Sequence, residues 1–139
     1  MGARSKARKR AVDVLYAAAL RDADPRTLHA ERAEEAEHPP PNDYALTLVE
    51  GVVAHRERID ELLAEHSEGW TLDRMPAVDL AILRLGLYEL LYAEDVPDPV
   101  AIDEAVALAR LLSTDDSPRF INGILGRLAT IADHLRATR

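Results

Sequence analysis

Residues 76–93 read PAVDLAILRLGLYELLYA. Plotted at 100° per residue, Val78, Leu80, Ile82, Leu83, Leu85, Leu87, Leu90 and Leu91 leave almost no polar face. A helix that is apolar nearly all round belongs at the centre of a fold, with other elements packed on several sides. Pro76 suits its first turn. Three charges interrupt the apolar surface, Asp79, Arg84 and Glu89, and they do not share a face. A buried helix does not leave such charges unpaired. At least one must pair inside the molecule or face a partner protein.

The flanking segments are helical as well. No strand-like alternation occurs, and apolar residues recur at helical spacing throughout. Towards the N-terminus, a helix over about residues 5–21 places Val12, Leu15, Tyr16 and Ala19 on one face. Asp24 and Pro25 form an N-cap and first-turn proline for a second helix through about Glu35. His38, Pro39, Pro40 and Pro41 form a stiff break. Asn42 then caps a helix running to about His66, roughly 36 Å long at 1.5 Å per residue. Its apolar residues drift between two stripes, Leu46, Val49 and Val53, then Leu48, Val52, Ile59 and Leu63. That drift predicts a helix shared by two groups of helices. Gly69 stops it, and residues 71–74 form a short turn.

On the C-terminal side, Asp98-Pro99 opens another helix, with Asp103 and Glu104 near its positive end. Ser117-Pro118 opens the last, whose face comprises Phe120, Ile121, Ile124, Leu125, Leu128, Ile131 and Leu135. Gly123 and Gly126 lie away from that face, where close approach of another helix, or of a ligand, would explain them. The sum is an all-α chain, 1–139 forming a single domain, with subdomains of about 1–68 and 69–139 that share the long helix.

The 139 residues contain no cysteine, so disulfide frameworks and thiolate metal sites are excluded. No apolar run reaches membrane-spanning length. Residues 14–20 are too short and too closely flanked by charge for a signal core, so the N-terminus is expected to be retained and the protein cytoplasmic. His29, His38, His55, His66 and His134 form no close helical ligand pair. HExxH, GxSxG and phosphate-cradling glycine motifs are missing. The expectation is a protein with no catalytic residue, no metal and no cofactor.

Formal net charge is −8, yet Arg4, Lys6, Arg8, Lys9 and Arg10 place five cations ahead of the first acid, Asp13. The rest of the chain holds 12 basic and 25 acidic residues. Cations at a helix N-terminus oppose the macrodipole, at about 0.3–1 kcal/mol each when exposed. Folding gains nothing from them there, so they read as an arm extending past the core to wrap phosphates. A frayed, solvated terminus is the plain alternative. Tyr16, two turns on, fits a core tyrosine or a stacking platform for bases. Asp116 and Phe120 sit where a polar loop runs into a helix N-terminus. This suits anion binding and base-edge recognition, or ordinary capping with Phe120 in the core.

Three stretches, ARKRAVDVLYAA (7–18), GWTLDRMPAVDLAILRLGLYEL (69–90) and VPDPVAIDEAVALARLLSTDDSPRFINGILG (96–126), give the chain a specific likeness. It resembles the NusB family of transcription antitermination factors, in an actinobacterial form. The resemblance implies an all-α fold of about seven helices in two roughly perpendicular subdomains. It implies binding of boxA RNA, a single-stranded element of ribosomal RNA leaders, shared with NusE, a ribosomal small-subunit protein. The partners it implies are therefore boxA RNA, NusE and the RNA polymerase antitermination complex, with a homodimer as a further form. Carried over by position, the basic arm contacts phosphates, and Tyr16, Asp116 and Phe120 belong to the RNA surface. Asp79, and with it Arg84 and Glu89, falls at the NusE interface. NusB-like domains also occur fused to ribosomal RNA methyltransferases. The chain stops at Arg139 without a nucleotide-binding fold, which sets that alternative second.

Overall fold

The computed structural model describes residues 1–36 and 43–139. The His38–Pro41 break and the Asn42 cap lie outside the described residues. Among these the chain forms eight α-helices and one 3-10 turn: α1 (Ala3–Arg21), α2 (Pro25–Glu35), α3 (Tyr44–Ala54), α4 (Arg56–His66), the turn Leu72–Arg74, α5 (Ala77–Tyr92), α6 (Asp98–Leu112), α7 (Ser117–Thr130) and α8 (Ala132–Ala137). None is long and apolar enough to cross a membrane.

The apolar segment becomes α5, the central helix. Ala81 through Leu87 are all buried, as are Glu89, Leu90 and Leu91. Helices α1 and α3 pack on its one side, with α2 against them. Helices α4, α6, α7 and α8 pack on it elsewhere. The two groups therefore share α5, not the long helix expected before it.

That long helix is in fact two. The backbone leaves helical geometry at His55 (φ −112°, ψ 15°). Leu48, Val49 and Val52 are buried before the break, and Ile59, Leu62 and Leu63 after it. The drifting stripe marks two differently aimed helices. The break lets each one bury its own face. The imidazole of His55 lies flat on Tyr92 of α5, ring centroids 3.8 Å apart and 13° from parallel. The C-terminal helix divides in the same way at Ile131 (φ −117°), which is exposed, while Ala132 and Leu135 are buried beyond it.

Asp43 caps α3, its carboxylate accepting from Leu46 N–H at 3.1 Å and bonding His29 Nε2 at 2.7 Å. Burial works against its charge, but these two bonds prevail and hold its carboxyl below the usual carboxylate range. A depressed folded-state pKa stabilises fully above the unfolded value, about 3.9, and that contribution disappears as pH falls through the folded one. Acid titration of unfolding should show the wild type losing stability below about pH 4 faster than Asp43→Ala. The variant starts about 1 kcal/mol less stable.

The close approach expected at Gly123 and Gly126 is not there. A Cβ at Gly126 meets nothing within 4 Å, and at Gly123 only Arg127 Nη1 at 3.5 Å. The tight glycine contacts lie elsewhere. A Cβ on Gly51 would stand 2.1 Å from the Tyr88 ring, and one on Gly86 2.8 Å from Leu125 Cδ1. In thermal unfolding, Gly126→Ala should raise stability by up to about 1 kcal/mol. Gly51→Ala should lower it by about 1–3 kcal/mol.

Candidate nucleic-acid interface

Helix α1 begins at Ala3, so the five cations ride on a helix and do not extend past the core as an arm. Each has a distinct environment. Arg8 is 3% exposed, and its Nε donates to Glu89 Oε1 at 2.8 Å. Glu104 of α6 stands 3.6 Å from its Nη1. Burial opposes the Arg8 charge, but Glu89 and Glu104 outweigh it and the guanidinium pKa is raised. Tyr44 donates its hydroxyl to Glu89 at 2.6 Å. Burial first, then the hydrogen bond to Glu89 and its charge, push that phenol well above its ordinary value. Arg8 is thus part of the core, and phosphate contact by its side chain is ruled out by geometry.

The other four cations stay near the surface. Arg4 pairs with exposed Asp95 at 2.7 Å and lies 4.1 Å over the Tyr44 ring. Lys9 pairs with Asp13 one turn on, at 3.0 Å. Such exposed pairs contribute about 0–1 kcal/mol and exchange readily for another anion. Lys6 is exposed and forms no ion pair among the described residues. Arg10 lines a small hollow with Asp13, His29 and Asp43. Tyr16 is half-buried and packs against the core, so it joins the core face and keeps an exposed edge.

The three residues assigned to a protein partner are bonded within the molecule. Glu89, 0% exposed, holds Arg8 and Tyr44. Arg84 makes two bonds to Asp60, at 2.8 and 3.0 Å, and Arg56 adds a third to the same carboxylate. Asp79 accepts from Ser113 Oγ at 2.6 Å and from Ser117 Oγ at 2.9 Å. All three are buried. Their charges are satisfied where α5 meets its neighbours, and Asp79 also lines the hollow beside Phe120.

Asp79 thereby pins the α6–α7 corner to the central helix. At that corner Asp116 is exposed and forms no side-chain cap to α7. Phe120 is half-buried, and its ring lies 5.9 Å from that of Trp70, tilted by 59°. Helical periodicity does not single out Trp70; its signal in the sequence is a lone tryptophan beside a glycine stop. Arg110 and Arg119 line an open groove of about 700 Å³ between α6 and α7.

The basic end of α1 and this corner are joined through α6. Ser5 donates to Glu104 at 2.9 Å, and Glu104 stands nine residues, about 14 Å of helix, before Ser113. Cations at one end of α6 and aromatic and acceptor groups at the other are the groups that bind a single-stranded polyanion.

Comparison with known proteins agrees with this architecture. The profile of the NusB family matches residues 5–130. The chain belongs to the NusB family. Transcription antitermination protein NusB of Saccharopolyspora erythraea is 68% identical over 139 residues, covering 99% of this chain and 94% of that protein. The NusB of Salinispora arenicola is 58% identical over 134 residues, covering 95% and 98%. Among solved structures, T. maritima NusB superposes with a TM-score of 0.86 at 31% identity, covering 99% of each chain. A chain from a crystal structure of the antitermination factors NusB and NusE in complex with dsRNA matches with a TM-score of 0.82 at 30% identity, covering 91% of this chain and 96% of that one.

Proposed function

We propose that this chain is a transcription antitermination factor of the NusB type. It binds RNA together with NusE in the cytoplasm and helps RNA polymerase read ribosomal RNA genes through. The observation that carries the reading is 68% and 58% identity, over nearly the full length, with proteins named for antitermination, in the fold seen in the solved complex of NusB and NusE with dsRNA. The geometry supports recognition without bond-making. Arg4, Lys6, Lys9 and Arg10 supply salt-dependent attraction to phosphates. Tyr16, Phe120 and Asp116 offer aromatic faces and an acceptor to unstacked bases. Asp79, Arg84 and Glu89 hold the scaffold behind that surface.

The test is titration of boxA-like single-stranded RNA, a double-stranded form and a scrambled strand, with and without NusE, at several salt concentrations. The boxA-like strand with NusE should bind tightest. Arg4→Ser, Lys6→Ser and Lys9→Ser together should weaken binding and reduce the salt slope by about one per cation lost. Failure to retain RNA near physiological ionic strength, even with NusE, overturns the reading. Transfer of label from S-adenosylmethionine to RNA by the chain alone would replace it with the methyltransferase-associated one.

A further inference from the structure

We propose that Trp70 and Phe120 form a cradle for one unstacked RNA base, with Arg110 and Arg119 seating the phosphates beside it. The proposal rests on the RNA-binding reading and adds a recognition subsite to it.

Trp70 is the only tryptophan in the chain and is 52% exposed. Its position is nonetheless held. Glu68 and Gly69 both adopt left-handed backbone (φ 50° and +89°), turning the chain sharply after α4. The Ser67 hydroxyl donates to the Trp70 carbonyl. Arg127 Nη2 donates to the His66 carbonyl at 2.9 Å, tying the end of α4 to α7. A left-handed glutamate is an unfavourable conformation for a residue with a side chain. Here it delivers a large aromatic ring to the surface beside a second one.

The two rings form a tilted pair, centroids 5.9 Å apart and planes at 59°, so a base stacks on their outer faces and not between them. They border a hollow of about 270 Å³ with Pro76 as further apolar wall and Thr114 and Asp116 at its edge. Aromatic and apolar walls with acceptors at the rim match a nucleobase, which has two π-faces and an edge of N–H donors. Asp116, acceptor only when ionised, favours a base that offers donors. Guanine presents two adjacent donors on its pairing edge. Uracil presents one between two carbonyl oxygens, which a carboxylate repels.

Thr114 also lines the neighbouring groove, which holds Arg110 and Arg119. Among the described residues neither arginine has a carboxylate within ion-pair distance. Arg10, Arg21, Arg32 and Arg74 likewise have none, and Arg110 and Arg119 are the two that line this groove. Asp103 and Asp115 line the same groove, so it is no general trap for anions. Phosphates must seat on the two arginines, which sets the strand's path past the aromatic hollow.

The lone tryptophan makes the test direct. Trp70 emission is followed while labelled boxA-like single-stranded RNA is titrated into the full chain, with binding read separately by anisotropy. The expected result is quenching that tracks binding. It should be abolished by an abasic site at one position, where guanine binds best and uracil worst. Trp70→Ala should lose on the order of 10- to 100-fold in affinity, while Trp70→Phe keeps most of it. Arg110→Ser and Arg119→Ser should each reduce the salt slope by about one and leave the quench at saturation unchanged. Circular dichroism controls for folding, and Phe120→Leu gives a second variant should Trp70→Ala be unstable. RNA bound at full affinity without quenching, or by Trp70→Ala as by wild type, overturns the cradle and leaves the RNA reading standing. Quenching by NusE alone marks a protein-docking surface and also overturns it. No RNA bound under any condition removes both.

Discussion

Glu89→Ala should lower the unfolding free energy by about 3–5 kcal/mol. In a chain of this length that is a fall in Tm of roughly 10–20 °C by calorimetry. Glu89 is fully buried and accepts from both Arg8 and Tyr44. Its removal leaves the Arg8 guanidinium with Glu104 at 3.6 Å as its remaining carboxylate. A buried charge deprived of its main partner is expensive, whereas replacing both partners by apolar groups often costs little. Arg8→Met with Glu89→Leu should therefore recover most of the loss, with only the Tyr44 hydroxyl left to find water. If Arg8 were a free phosphate ligand, Glu89→Ala would leave stability unchanged and strengthen RNA binding. Destabilisation with rescue by the double variant is the opposite signature.

Asp79→Ala should cost about 2–4 kcal/mol, since hydrogen bonds to a charged acceptor are worth about 1.5–3 kcal/mol each and Asp79 accepts two. Ser113 and Ser117 already lie 2.9 Å apart and can bond one another, which limits the loss. The consequence for binding follows from position. Both serines belong to the α6–α7 corner that displays Asp116 and Phe120. Freeing the corner from α5 should weaken RNA binding, although Asp79 itself is buried. Ser113→Ala with Ser117→Ala should reproduce both effects. A loss of NusE binding with stability and RNA affinity intact would instead restore Asp79 as a contact residue.

Helical period, caps and prolines made most elements legible in the sequence. The apolar run 76–93 was readable as central because burial on all sides removes the polar stripe. Asp24-Pro25 and Ser117-Pro118 mark helix starts through local chemistry alone, and the structure begins α2 at Pro25 and α7 at Ser117. The breaks at His55 and Ile131 were not readable. Neither residue is a helix breaker, and the backbone turns there because the helices on each side bury their apolar faces differently. The drift between the 46–53 and 48–63 stripes was a trace of that turn without its location.

Charge was legible in amount but not in use. The first ten residues show five cations and no acid, which marks an imbalance. Which cation folds inward depends on what α5 and α6 present opposite it. Arg8 differs from Lys9 only because helical rotation aims it at Glu89, 81 residues away. Likewise Gly51 and Gly126 look alike as letters in a helix, yet one faces the Tyr88 ring and the other open space. Local propensity and periodicity act over a few residues, so the chain alone determines helices, caps and the buried centre. Pairing across α1, α5, α6 and α7 acts over tens of residues. Only packing decides which charges, rings and glycines meet.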